Sequence, residues 1–265
     1  MINLHAEFQD NGQEKTVILL HGFLNDRRSM AHIGSSLKQC ANILSVDLPG
    51  FGESKSFGID YTMDDIADAL YAVQKKYDRE HIQTYMLGYS MGGRAALSYA
   101  CRYPSTLFGL ILESASPGIE DSAEKKARIE IDDKRALEMV QDYPAFIQSW
   151  ENMGLFNSQT EVDEQVFNEQ RKARLSQIPK EAADSLRKYG TGVQPSYWDR
   201  LKSVDIPVLQ LVGSRDEKFI SINQRMNDSF PDAVLNIVDG AGHNIHLEVP
   251  EKFDTIVSEF INRRI

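Results

Sequence analysis

Gly88-Tyr89-Ser90-Met91-Gly92-Gly93-Arg94 stands between two apolar segments of different habit. Residues 82–87 read as a short buried strand, and residues 95–101, small and apolar, as a packed helix. A serine set between glycines at such a junction is a nucleophile elbow, G-x-S-x-G. Its physics is steric: the turn strains Ser90 and lifts its hydroxyl clear of the sheet. A side chain at Gly88 or Gly92 would collide with the neighbouring strand or helix. The helix N-terminus beneath offers free N–H groups and a positive dipole end to an anion.

Working outward, strand and helix alternate through the first 115 residues. Residues 2–8 alternate in polarity and lead to an Asp10-Asn11-Gly12 turn, the pattern of an edge strand opening an antiparallel hairpin. Residues 16–20 are continuously apolar, as in a strand covered on both faces. Residues 29–40 carry helical spacing through Met30, Ile33 and Leu37. Residues 43–46 form the next buried strand and run into Asp47-Leu48-Pro49-Gly50-Phe51-Gly52-Glu53-Ser54, a turn-dense loop read as a structural turn beneath the site. Thr62 with Asp65 caps a helix bearing Ile66, Ala69, Leu70 and Val73. Residues 107–112 add another strand. This is the order of a mostly parallel, doubly wound α/β sheet.

The alternation then stops. Residues 117–195 show helical signals only, with fifteen acids and eleven Lys/Arg. Strands return at 207–212 and 234–238, followed by an amphipathic helix around Phe253, Ile256, Val257, Phe260 and Ile261. The reading is one α/β core, residues 1–116 and 196–265, interrupted by a helical cap at 117–195.

The 265 residues can bury a proper core. A net charge of −10 argues against nucleic acid or an anionic membrane surface as partner. The N-terminal ten residues lack a leader's apolar stretch, and no run reaches membrane-spanning length, so the cytoplasm is the expected compartment. Cys40 and Cys101 form no disulfide framework or metal pattern and are expected as buried free thiols. No metal or cofactor is expected.

Ser90 needs a histidine to take its proton, and the histidine needs an orienting carboxylate. In this architecture the order is serine, acid, histidine. Gly213-Ser214-Arg215-Asp216 follows one late strand and Gly240-Ala241-Gly242-His243 the next, which selects Asp216 and His243 over Asp239 and His246. The oxyanion donors are expected from the backbones of Met91 and of Phe23 in His21-Gly22-Phe23. His21 itself is read as holding that loop. Arg94 lies in the first turn of the helix after Ser90, where the dipole disfavours a cation and side chains lean back toward the site. A bound anion would explain it; a surface salt bridge is the plainer alternative.

HGF, DLPGFGES, GYSMGG, GSRD and GAGH, in that order over nearly the whole chain, resemble the α/β-hydrolase superfamily. Gly88 to Arg94, Glu113-Ser114-Ala115-Ser116-Pro117-Gly118 and Gly190-Thr191-Gly192-Val193-Gln194-Pro195-Ser196-Tyr197-Trp198 resemble a narrower family, the 2-succinyl-6-hydroxy-2,4-cyclohexadiene-1-carboxylate synthases of menaquinone biosynthesis. The resemblance implies a lyase. A proton is taken from beside the succinyl carbonyl of a small polycarboxylate cyclohexene, pyruvate leaves, and a diene forms. It implies Ser90, His243 and Asp216 as the base system, and no cofactor. It implies Arg94, Arg128, Arg174, Trp150 and Tyr89 as substrate contacts, with Arg171 the alternative to Arg174 and core packing the alternative for Trp150. Two other classes stay open: a carboxylesterase or C–C bond hydrolase with nucleophilic Ser90, and a ligand-binding receptor on the same fold.

Overall fold

The computed structural model describes residues 2–77 and 82–263, so Met1 of the stretch read for a leader lies outside them. Among the described residues seven strands form one sheet: β1 (Ala6–Gln9), β2 (Lys15–Leu20), β3 (Asn42–Val46), β4 (Gln83–Tyr89), β5 (Gly109–Glu113), β6 (Val208–Gly213) and β7 (Ala233–Val238). Their spatial order is β1-β3-β2-β4-β5-β6-β7, with every pair parallel except β1 with β3. The edge strand is antiparallel as expected, but it is shorter and forms no hairpin with β2. Asn42 is the reason. Its side chain accepts from the Asn11 and Gln13 amides and donates to the Gln13 carbonyl, pinning the turn to the start of β3.

Continuous apolar strands follow from cover on both faces. Ile18 and Leu20 pack on one side with α2 (Met63–Tyr77), α3 (Met91–Arg102) and Met226 of α8 (Glu217–Ser229). Val17 and Leu19 pack on the other with α1 (Ala31–Leu37) and α9 (Pro250–Asn262) through Ile33, Leu37, Phe253 and Val257. Each such side chain fully buried contributes about 1.5–3 kcal/mol. α2 starts at the expected cap, where Thr62 N–H donates to Asp65 and Asp65 N–H to the Thr62 hydroxyl. α1 ends at Leu37, short of Cys40; Cys101 is buried, but Cys40 is only half-buried. Both thiols are free.

Between β5 and β6 the described chain is helical only: α4 (Ser122–Gln141), α5 (Tyr143–Glu151), a 3-10 segment (Gly154–Glu161), α6 (Glu164–Leu175), α7 (Pro179–Tyr189) and a second 3-10 segment (Trp198–Ser203). The outgoing and returning chains are tied together at the neck. Tyr197 N–H donates to the Pro117 carbonyl at 2.7 Å, and Trp198 Nε1–H to that of Gly118 at 3.1 Å. The Asp47–Ser54 loop holds the helical layer down as well as shaping the core. Gln177 accepts from Gly52 N–H at 3.0 Å and donates to buried Asp26 at 2.9 Å. Glu181 accepts the Ser56 and Phe57 amides at 2.9 Å, and the Tyr189 hydroxyl donates to Pro49. Among the described residues no helix is long and apolar enough to cross a membrane.

Candidate active site

The carboxyl ends of β2, β4, β5, β6 and β7 meet along one edge of the sheet, where open α/β folds bind ligands. Register places them there: Leu20 opposes Gly88, Tyr89 opposes Glu113, and Gly213 opposes Val238. Ser90 follows Tyr89 at φ 50° and ψ −104°, a left-handed strain its neighbours enforce. A Cβ on Gly88 would run into the Gly92 carbonyl, and one on Gly92 into that of Leu20. The turn therefore demands glycine on both sides of the serine.

Two loops bring the partners. His243 Nε2 lies 3.0 Å from Ser90 Oγ, and Nδ1 lies 2.6 Å from Asp216 Oδ2. The ionised carboxylate can only accept, so Nδ1–H donates to it and Nε2 is left to receive the serine proton. His243 and Asp216 are both buried. The rivals lie elsewhere. His246 sits in a second buried pair, accepted by Glu113 through Nδ1 at 2.7 Å and through its backbone N–H at 3.0 Å. Asp239 is exposed, and its carbonyl takes the Lys252 ammonium. Glu248 accepts the amides of Gly242 and Asn244, clasping both neighbours of His243.

Met91 is the first residue of α3, so its N–H has no acceptor within the helix. Phe23 lines the same cavity, its ring against Phe51 and Trp150 at 5.6 and 5.2 Å. His21 is wholly buried, and burial lowers its pKa. Its Nε2 accepts from Leu48 N–H at 2.9 Å while Nδ1 donates to the Gly22 carbonyl, which fixes the loop. Tyr89 is buried against His243 and His246, and burial first of all raises its hydroxyl well above the ordinary range.

Over Ser90 lies a cavity of about 390 Å³. Ser90, His243, Phe23, Met91, Tyr89, Trp150, Arg94, Arg128 and Arg174 all line it. Arg94 is buried, not a surface ion pair. Its Nη1 donates to the Tyr189 carbonyl and the Gln194 side chain, both neutral, and burial followed by the Arg128 charge pulls its pKa to about 10. Arg174 is buried and paired with Glu151 at 3.2 Å, whereas Arg171 reaches the same carboxylate from a half-buried position off the cavity wall. Trp150 packs and lines at once: it meets Phe23, Phe146 and Phe156, and it faces the cavity.

Three further polar groups lie outside the site residues that the motifs mark. Arg135 and Lys218 line the cavity, and Gln194 holds Arg94. Arg135 was within reach of the spacing, since it lies seven residues, two turns, beyond Arg128 on α4. Gln194 lies in a stretch already singled out but carries no signal of its partner. Among the described residues, five cations and no carboxylate residue line the cavity of a chain whose net charge is −10.

A family model described as alpha/beta hydrolase fold matches residues 15–250. A Bacillus subtilis (strain 168) protein provisionally named as a 2-succinyl-6-hydroxy-2,4-cyclohexadiene-1-carboxylate synthase is 36% identical, across 93% of this chain and 90% of its own length. This chain belongs to the α/β-hydrolase fold family, in its 2-succinyl-6-hydroxy-2,4-cyclohexadiene-1-carboxylate synthase group. The synthase of Enterobacter sp. (strain 638) is 29% identical over 94% of this chain and 92% of its own. The solved structure of MenH from S. aureus, at 35% identity, superposes with a TM-score of 0.92 over 98% of both chains. The α/β-hydrolase fold is thus common to the group and this chain.

Proposed function

We propose that this chain is a 2-succinyl-6-hydroxy-2,4-cyclohexadiene-1-carboxylate synthase, a lyase that eliminates pyruvate from a small polycarboxylate cyclohexene. One observation carries the reading: a wall with five cations and no carboxylate among the described residues stands over a serine hydroxyl 3.0 Å from a histidine nitrogen. A hydrolase of neutral esters has no use for such a wall.

The residues divide the work as follows. Asp216 holds His243 with Nε2 free to accept, so Ser90 can pass its proton to the imidazole as it takes one from the carbon beside the succinyl carbonyl. The carbonyl becomes an enolate whose oxygen the Met91 and Phe23 amides stabilise. The electron pair moves through the ring and expels the enolpyruvyl oxygen. The imidazolium returns its proton to the leaving group, which is released as pyruvate. The cap, residues 117–195, supplies Arg128, Arg174 and Trp150 from above, and Arg94 meets the substrate from below. Each forked arginine–carboxylate contact in this desolvated site is worth about 2–5 kcal/mol when one partner is removed.

The test is incubation of the purified protein with the enolpyruvyl substrate, following pyruvate release and the intact mass of the protein together. Pyruvate should appear with no covalent adduct on Ser90. An adduct that forms and decays at the turnover rate would replace the lyase by a hydrolase with nucleophilic Ser90. Binding without turnover would leave a receptor.

A further inference from the structure

Arg128, Asp132 and Arg135 occupy one face of α4 at spacings of four and three residues. Asp132 is only 3% exposed, and it is the carboxylate both arginines touch. Its two oxygens take Arg128 Nε at 2.9 Å each, and Oδ1 lies 3.4 Å from Arg135 Nη1. Arg128 is thus held at the root of its fork, with its terminal nitrogens beyond. Arg135 lies over the Trp150 ring at 5.4 Å, with Nη2 3.8 Å from the Met153 sulfur. Beyond them stands Arg94, bonded to neutral acceptors.

Two guanidinium groups therefore share one buried carboxylate, and the third, Arg94, has neutral acceptors only among the described hydrogen bonds. Burial first, and then the Arg128 charge, draws down the pKa of both Arg94 and Arg135. Such a cluster is short of negative charge, and the cavity it faces is where an anion would supply it. The Trp150 ring packs against the Arg135 guanidinium, and the Phe23 ring meets Trp150 in an edge contact.

We propose that Arg135 is a further carboxylate-binding, specificity-determining residue, and that Asp132 is a positioning residue spacing Arg128 and Arg135 into a clamp for one substrate carboxylate. This rests on the lyase reading, which supplies the polycarboxylate. Arg174 and its Glu151 belong to another part of the wall, so a substrate lacking the clamped carboxylate keeps its remaining contacts and loses affinity selectively.

The test separates binding from chemistry. The substrate is titrated by calorimetry into Ser90→Ala protein with and without Arg135→Gln. Arg135→Gln should weaken binding by at least about tenfold, the scale of a lost charged contact. In the active enzyme it should raise KM while kcat stays within about threefold, because the clamp is remote from the proton transfer. Arg135→Lys should recover only part of the loss, since an ammonium cannot present parallel donors. Asp132→Asn should raise KM in the same way and add little to Arg135→Gln. Should Arg135→Gln fold poorly in a thermal melt, Arg135→Lys carries the comparison, with an intermediate KM expected. Equal affinities with and without Arg135→Gln, or a loss confined to kcat, would overturn the clamp alone. Ser90→Ala protein with no affinity for the substrate would overturn the lyase reading beneath it.

Discussion

At the residue scale two buried histidine–carboxylate pairs lie on either side of Tyr89, and only one reaches Ser90. His243 with Asp216 touches the hydroxyl; His246 with Glu113 braces the turn behind it. Their variants should fail in different ways. Ser90→Ala, Asp216→Asn and His243→Ala should each lower kcat by about a thousandfold or more, and double variants should lose little further, because the three act as one unit. His246→Ala leaves the Glu113 carboxylate buried without its partner. It should cost about 3–5 kcal/mol in denaturant unfolding while the folded protein keeps its pH–rate profile. A thousandfold loss of kcat in His246→Ala without loss of stability would reverse the assignment.

At the scale of elements, the helical layer is fastened to the core by a few polar contacts, among them that of Gln177 with Asp26. Burial works to raise the pKa of Asp26, but hydrogen bonds from Arg28 and Gln177 outweigh it and hold the group at about 2, against an ordinary 3.8. A carboxyl whose folded pKa is depressed adds stability above the unfolded pKa and loses it as pH falls through the folded one. The stability difference between wild type and Asp26→Asn should therefore be full near pH 6. It should shrink between about pH 4 and pH 2 in urea titrations. A difference that stays constant over that range would mean that Asp26 contributes through shape and not charge. Gln177→Ala should weaken the same latch from the helical side, at a cost of about 1–3 kcal/mol for the buried acceptors it deserts.

At the scale of the whole molecule, charge is distributed against its own net value. A chain of −10 repels a polyanion at long range, yet the cavity wall carries five cations. Screening acts strongly on the distant charges and weakly on buried ones, so attraction is short-range. A polycarboxylate ligand at a hundredfold excess over Kd should add about 2.7 kcal/mol, or about 5–10 °C in Tm for a chain of this size. Arg94→Gln should abolish most of that shift, and a neutral ester of the same ligand should produce little in either protein. Equal shifts for the charged and neutral ligands in a melting assay would show that the wall does not select anions.

Much of this protein is local in origin and so is written in its sequence. Gly88 before Ser90, the Thr62–Asp65 cap, the apolar strands and the helical stretch before β6 each depend on a few neighbouring residues, and short-range sterics and periodicity determine them. The acid and histidine loops are legible for the same reason, since each directly follows a strand. The tertiary structure decided what depends on distant partners. Asn42 turned an apparent hairpin into an edge pairing with β3, and packing assigned Arg174 to the cavity and Arg171 to its outside. Gln194, a hundred residues from Arg94, became its acceptor. Charge alone cannot mark a buried arginine in a polar helix; only the fold settles which side of the helix loses its water.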